Sequence, residues 1–304
     1  MKDESYSVVI PMYRSEETIA KVVNEVTQAF LVININNYEI ILINDCSPDN
    51  VLDKATILAK NDAHITVLDL AKNVGQEMAA LAGYSYAKGD FIISVDDDFQ
   101  HPAYEIGNLI TAIHDRDDDV VFASYMEEEG RRPWFRSLGT RLNWKMAEIM
   151  TGKPKNIESN SFLIMRRNIR DSIINYRGKD MYTYGVIYAT TSHISNYPVK
   201  HRKRITGSSG NTLPKLIRLW FSGAISFSLK LLKGLCLLTL IGLLLSIFLI
   251  AFGKTIIGLL VVAIITTLNI YVFGEYIGRL YLVSENLPKY VIKNVITYNK
   301  SHSK

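Results

Sequence analysis

Between residues 94 and 102 the chain reads Ser94-Val95-Asp96-Asp97-Asp98-Phe99-Gln100-His101-Pro102, three adjacent carboxylates directly after an apolar run. Three acids at the end of a strand repel one another unless a positive charge neutralises them. A hard divalent cation does this and can also bridge a diphosphate. In an extended segment Asp96 and Asp98 point to one side and Gln100 follows in phase. Such an oxygen-donor set suits Mg2+ or Mn2+. The competing reading is a solvated acidic turn, which fits the nearby run Asp115, Asp117, Asp118 and Asp119 better. At 96–98 a buried strand delivers the acids to a sheet edge, where ligands bind. No glycine or distal glutamate stands at the spacing a calcium-binding helix–loop–helix requires.

Three further polar clusters follow apolar runs or precede a helix. Pro11-Met12-Tyr13-Arg14-Ser15-Glu16 comes after the first run and Asn44-Asp45-Cys46-Ser47 after the second. The carboxylates of Glu16 and Asp45 could accept hydrogen bonds from a uracil or ribose edge, or could cap and close turns; residue type leaves both open. Asn73-Val74-Gly75-Gln76 either offers backbone N–H groups to a phosphate or is a plain loop. Arg131, Arg132 and Arg136, with Lys200, Arg202, Lys203 and Arg204, are candidate counter-charges for anionic substrates. They could equally face solvent or lipid headgroups. The favoured division gives Arg131 and Arg136 to substrate and 200–204 partly to the membrane. If a general base is needed, Asp97 or Glu158 is the candidate.

Positioning these residues requires alternating strands and helices. Strands are expected at 7–10, 38–43, 64–70, 91–95, 120–123 and 162–165. Helices are expected from an N-cap at Ser15 through Phe30, then at 51–60, 76–87, 104–113 and 133–150. This alternation implies an α/β fold, a mainly parallel Rossmann-like sheet with helices on both faces. The clusters at 44–49 and 96–100 both follow strands, so they should meet in one crevice. Residues 126–133 read as a lid over it, and 180–210 carries no clear pattern. No Gly-x-Gly-x-x-Gly follows the first strand, which excludes a dinucleotide-binding dehydrogenase.

The chain has 304 residues, 48% of them hydrophobic, and a net charge of +4. The apolar excess lies in two runs, Leu231–Phe252 and Thr255–Phe273, parted only by Gly253-Lys254. About 20 residues suffice to cross a bilayer, so the two runs read as a transmembrane hairpin. Lys230, Lys233, Arg279, Lys289, Lys293 and Lys300 flank it, which places both ends in the cytoplasm. The expected division is a catalytic domain at 1–210, an amphipathic interfacial helix at 211–230, two spans at 231–275 and a cytoplasmic tail at 276–304. Residues 1–30 do not read as a signal peptide. With only Cys46 and Cys236, a disulfide is not expected. The modest, localised basic charge fits phosphate ligands or a lipid surface, with no nucleic-acid partner expected.

As an ordered set, Val8-Val9-Ile10-Pro11-Met12-Tyr13, Ile43-Asn44-Asp45-Cys46-Ser47-Pro48-Asp49-Asn50, Asn73-Val74-Gly75-Gln76, Ala82-Gly83, Gly89-Asp90 and Asp96–Pro102 resemble family-2 glycosyltransferases of the GT-A fold. The resemblance is to the branch that makes polyisoprenyl-phosphate sugars. Trp134-Phe135-Arg136, Thr151-Gly152-Lys153 and Arg166-Arg167 look like its aminoarabinose-transferase type. The resemblance implies a nucleotide-sugar donor, UDP-linked, and undecaprenyl or another polyprenyl phosphate as acceptor. It implies that Asp45 binds uracil or ribose while Pro11, Tyr13 and Glu16 line the nucleotide pocket. Asp96 would contact nucleotide and metal, Asp98 and Gln100 would hold the metal, and Arg131 and Arg136 would approach the acceptor phosphate. Related enzymes form tetramers by exchanging C-terminal segments, a role open to 286–304. The usual Asp-Asp-Gly-Ser turn reads Asn44-Asp45-Cys46-Ser47 here, and an arginine that many relatives carry after residue 162 is missing. A processive polysaccharide synthase is disfavoured, because no Gln-x-x-Arg-Trp precedes the spans. A hydroxyl acceptor and a non-catalytic scaffold are the remaining alternatives.

Overall fold

A computed structural model of the chain describes residues 4–125, 152–178, 181–200, 230–285 and 287–298. The lid, the helix expected at 133–150, Arg131, Arg136, Arg202–Arg204 and the interfacial helix lie outside these residues.

Eight strands form one sheet: β1 (Tyr6–Met12), β2 (Tyr38–Asn44), β3 (Ile65–Leu70), β4 (Phe91–Ser94), β5 (Val120–Tyr125), β6 (Leu163–Arg166), β7 (Ile194–Val199) and β8 (Ile292–Thr297). Their order is β7-β5-β6-β4-β1-β2-β3-β8. The centre, β4-β1-β2-β3, is parallel, as the alternation of elements requires. The flanks are not: β6 runs antiparallel to both β4 and β5, and β8 antiparallel to β3. The sheet is therefore mixed. All seven residues of β1 are buried, including Pro11, so the strand runs two residues past its expected end at Ile10.

The helices are α1 (Ile19–Val32), α2 (Val51–Asn61), α3 (Gln76–Tyr86), α4 (Ile106–Asp115), α5 (Arg167–Ile174), α6 (Thr183–Thr190), α7 (Lys230–Ala251) and α8 (Thr255–Ser284). In α1 the buried residues Ile19, Val22, Val23, Val26 and Phe30 form the stripe legible in the sequence. Ser15 does not cap it as expected; the cap position is Thr18. Residues 15–18 form a turn that leads into the helix, in which the Ser15 carbonyl accepts from the N–H groups of Thr18 and Ile19. One apolar core packs α1, α2 and α4 on one face of the sheet, and a second packs α3, α5 and α6 on the other. Gly83 lets α3 approach closely: a Cβ there would sit 2.5 Å from a methyl of Val9.

Both C-terminal helices are long and apolar enough to cross a membrane, and few of their residues are buried. Gly253, at φ 76°, makes the tight turn between them. Within the hairpin Asn269 Nδ2 donates to Thr239 Oγ1 at 2.8 Å and Ser246 Oγ to the Gly258 carbonyl at 2.8 Å. Such bonds join helices where no water competes. The second helix runs to Ser284, past the expected end of its span at Phe273. Residues 276–304 are then not simply a tail, because β8 returns to pair with β3. Tyr290 reinforces the return, with its hydroxyl 2.6 Å from Ser85 Oγ.

Candidate active site

The carboxyl ends of β1, β2 and β4 carry the expected clusters to one edge. After β2 the chain turns through Cys46, at φ 49°. Asp45 is buried, and its carboxylate accepts from the N–H groups of Val74 at 2.7 Å and Gly75 at 2.9 Å. Asn73 Nδ2 donates to the Asp45 carbonyl at 3.0 Å. Burial raises the Asp45 carboxyl above its ordinary range, against the pull of these two N–H donors. Asp45 thus pins the 73–75 loop to the end of β2. Each of its oxygens keeps a second lone pair for a ligand.

Gly75 has φ 86° and ψ 158°, a backbone region essentially restricted to glycine. A Cβ there would meet nothing within 4 Å, so an alanine would suffer backbone strain alone. We expect Gly75→Ala to cost about 1–3 kcal/mol locally and to displace the loop from Asp45. The measurable result is a several-fold weaker UDP affinity by titration calorimetry, with the melting temperature lowered by about 2–12 °C.

The acidic segment is not extended. Residues 97 and 98 form a turn, Phe99 has φ 62°, and the Gln100 N–H closes on Asp98 Oδ1 at 3.0 Å. The strict alternation expected of Asp96, Asp98 and Gln100 therefore does not apply. Asp96 is the hub: Oδ1 accepts from Gln76 Nε2 at 2.7 Å and Oδ2 from Ser161 Oγ at 2.5 Å. His101 is buried beside it and stacks on Phe162. Its Nδ1 accepts the Asp96 N–H at 3.1 Å, which leaves the neutral ring's proton on Nε2, 3.4 Å from Asp96 Oδ2. Asp97 turns inward, accepting the Tyr13 N–H at 2.8 Å while its carbonyl takes Thr18 Oγ1. Burial, with the charges of Asp96 and Asp98 adding to it, raises its carboxyl to about 7.

The remaining expected residues divide between the edge and the framework. Pro11 is buried at the end of β1, while Tyr13 is exposed beside it with the Arg14 guanidinium over its ring. Glu16 is tied to α2, with Lys54 at 3.4 Å and the Asn50 N–H at 3.3 Å. Glu158 accepts from Ser124 Oγ at 2.7 Å. Arg166 and Arg167 lie away from the edge, on Asp117 and Asp90. Sequence reasoning missed Ser161, which precedes β6, and Glu77 on α3, whose partner Thr183 is 106 residues away.

Among the described residues, no three His, Cys, Asp or Glu side chains are grouped tightly enough to hold a metal. The hard oxygen donors at 96–100 still match a divalent cation in kind. Burial raises Asp97 to about 7 and the charges of Asp96 and Asp98 add to it, a setting in which an added positive charge is favourable.

A mixed sheet with an acidic turn at the end of a central strand and a glycine loop opening the adjacent helix defines a GT-A-type glycosyltransferase. The chain belongs to glycosyl transferase family 2, whose family model matches residues 7–174, more than half its length. It is 28% identical over 309 residues to the undecaprenyl-phosphate 4-deoxy-4-formamido-L-arabinose transferase of Enterobacter sp. (strain 638), covering 96% of this chain and 93% of that one. The enzyme of the same name from Yersinia pestis (strain Pestoides F) is 27% identical, covering 95% and 93%. Among solved structures, glucosyl-3-phosphoglycerate synthase from Mycobacterium tuberculosis, in complex with Mn2+, UDP-glucose and phosphoglyceric acid, shares the fold. Its TM-score is 0.53 at 14% identity, covering 75% of this chain and 79% of that one.

Proposed function

We propose that this glycosyltransferase moves a sugar from a UDP-linked donor onto undecaprenyl or another polyprenyl phosphate. The reaction would take place at the cytoplasmic face of the inner membrane, for cell-envelope glycan modification. The supporting observation is collinearity: the relatives named for undecaprenyl phosphate match about 95% of the chain, the apolar hairpin included. The UDP-glucose and Mn2+ bound by the structural neighbour support a nucleotide-sugar and a divalent cation.

In this reading the nucleoside lies over the ends of β1 and β2, against Pro11, Tyr13, Asn73 and Asp45. Its diphosphate reaches the Asp96 turn, where Gln76 opens α3 and the helix N-terminus favours negative charge. Asp98 and Gln100, with Asp96, would hold Mg2+ or Mn2+, which when bound offsets the charge developing on the leaving diphosphate. An oxygen of the acceptor phosphate attacks C1 of the sugar, the bond from C1 to the diphosphate oxygen breaks, and UDP departs. A phosphate monoester, with a second pKa of about 6, is mostly a dianion at neutral pH. It needs no general base, in keeping with the internal bonds of Asp97 and Glu158. Single displacement inverts the anomeric centre. Arg131 and Arg136 are assigned to the acceptor phosphate. Two spans with cytoplasmic ends hold the domain at the headgroup level where that phosphate lies. Any C-terminal exchange between copies would make in trans the pairing that β8 makes within this chain.

The test is UDP release by the purified full chain in detergent, with Mn2+ or Mg2+, with and without undecaprenyl phosphate. The donors are UDP-glucose, UDP-galactose, UDP-xylose, UDP-N-acetylglucosamine and UDP-4-deoxy-4-formamido-L-arabinose. Release that requires both lipid phosphate and metal is expected. Turnover only with a hydroxyl acceptor would overturn the acceptor assignment.

A further inference from the structure

A cavity of about 170 Å3 opens beside Asp96, between the start of α3 and the start of α6. It is smaller than the ~300–1,000 Å3 of pockets that take a whole small-molecule ligand, so it fits one portion of a substrate. Glu77 lines it. One carboxylate oxygen, Oε2, accepts from Thr183 Oγ1 at 2.5 Å and from the Thr183 N–H at 3.3 Å. No hydrogen bond to the other oxygen, Oε1, occurs among the described residues. Ser161 and Tyr84 add hydroxyls to the wall, and Ala80 and Leu163 add apolar surface. Polar groups that converge on a part-apolar hollow suit a sugar, whose hydroxyl edges and C–H faces alternate.

Strand order fixes which part of a donor would reach the cavity. Along the edge the sequence is β6-β4-β1-β2. Asp45 follows β2 and Asp96 follows β4, while the cavity takes residues from β1, β4 and β6. A nucleoside diphosphate laid from Asp45 to Asp96 points its far end, the sugar, toward β6 and the cavity. We propose that this cavity is the specificity pocket for the transferred sugar, with Glu77 hydrogen-bonding a hydroxyl or amide substituent of its ring. The proposal rests on the donor reading above and names the part of the donor that the chain discriminates. Burial, with the charge of Asp96 adding to it, raises the Glu77 carboxyl above its ordinary range. Oε1 can accept from either substituent, a hydroxyl or an amide N–H.

The plain alternative is that Glu77 only caps the first N–H of α6. Donor discrimination separates the two roles, because a cap does not distinguish one sugar from another. The experiment measures kcat/KM of the full chain for each UDP-sugar of the panel with undecaprenyl phosphate, alongside Kd for UDP. It uses wild type, Glu77→Gln and, should that variant fold poorly, Ala80→Val, which narrows the cavity without touching the cap. The expected result is at least a tenfold change in the ratio of kcat/KM between the best donor and one differing from it at a ring substituent, with UDP affinity within twofold. Ratios unchanged in both variants of an enzyme that turns donors over would overturn this inference alone. A wild type that turns over no donor would overturn the donor reading and this inference with it.

Discussion

Asp96→Asn lowers kcat/KM for the nucleotide-sugar by about 10²–10³-fold, the range for losing one preorganised electrostatic contact at a reacting centre. The substitution is nearly isosteric, so the size of the effect follows from chemistry. The Asp96 carboxylate gathers Gln76 and Ser161 as donors, with His101 Nε2 at 3.4 Å. An amide must turn an N–H₂ toward one side, so the Gln76 amide must flip or the Ser161 hydroxyl must turn to accept it; any part-buried donor left unpaired costs about 1–3 kcal/mol. The charge that would oppose a cation is lost as well, so half-saturation by Mn2+ moves to higher concentration. Steady-state UDP release at varied Mn2+, with the melting temperature as a folding control, reads both effects. Activity within threefold of wild type would remove Asp96 from the mechanism.

Ending the chain after Glu285, which deletes β8, lowers the melting temperature in detergent by about 5–10 °C, given that 1 kcal/mol shifts a domain of this size by ~2–4 °C. The ladder alone does not predict this. A backbone hydrogen bond contributes about 0.5–1.5 kcal/mol net, and ordering each residue costs about 1–2 kcal/mol, so five paired residues nearly cancel. The balance comes from side chains. Ile292 and Ile296 pack against opposite cores, Tyr290 meets Ser85, and Lys289 reaches the Tyr176 carbonyl. Truncation also leaves the β3 edge open to other chains, so aggregation should rise on heating. A second effect reaches the site. Asn294 donates to Asp69 at 3.3 Å, Asp69 accepts from Asn44 at 2.8 Å, and Asn44 takes the Ser47 N–H at 3.2 Å. That relay ends in the turn beside Asp45, so UDP affinity should also fall. Ile296→Asp tests the packing without deletion. An unchanged melting temperature in both variants would mean that β8 is dispensable to the fold.

The central strands and their order of use were legible because fully buried parallel strands leave unbroken apolar runs. Val8–Ile10, Ile40–Ile43 and Phe91–Ile93 leave little room for another reading, and the acids that follow them are fixed to the edge by topology. The apolar hairpin was legible by length alone. What escaped has physical reasons. β8 is short and largely exposed, with an unremarkable Ile292-Lys293-Asn294-Val295-Ile296-Thr297 pattern, and its pairing is with a strand more than two hundred residues earlier. The turn at 96–100 depends on Phe99 adopting a left-handed conformation, for which a phenylalanine gives no hint. Glu77 reads as an ordinary acid in the first turn of a helix, since only the fold brings Thr183 to it. Arg166 and Arg167 carried the family likeness but serve the framework.

The return of β8 also orders events in time. The chain is made from its N-terminus, and early segments fold first. Among the described residues seven strands precede α7, yet β8 is encoded only after α8 ends. The sheet therefore cannot be completed on a nascent chain whose apolar hairpin has not yet been synthesised. Until then the β3 edge and the Asp69 end of the relay stand open, so the finished turn beside Asp45 belongs to a molecule that already carries its apolar hairpin.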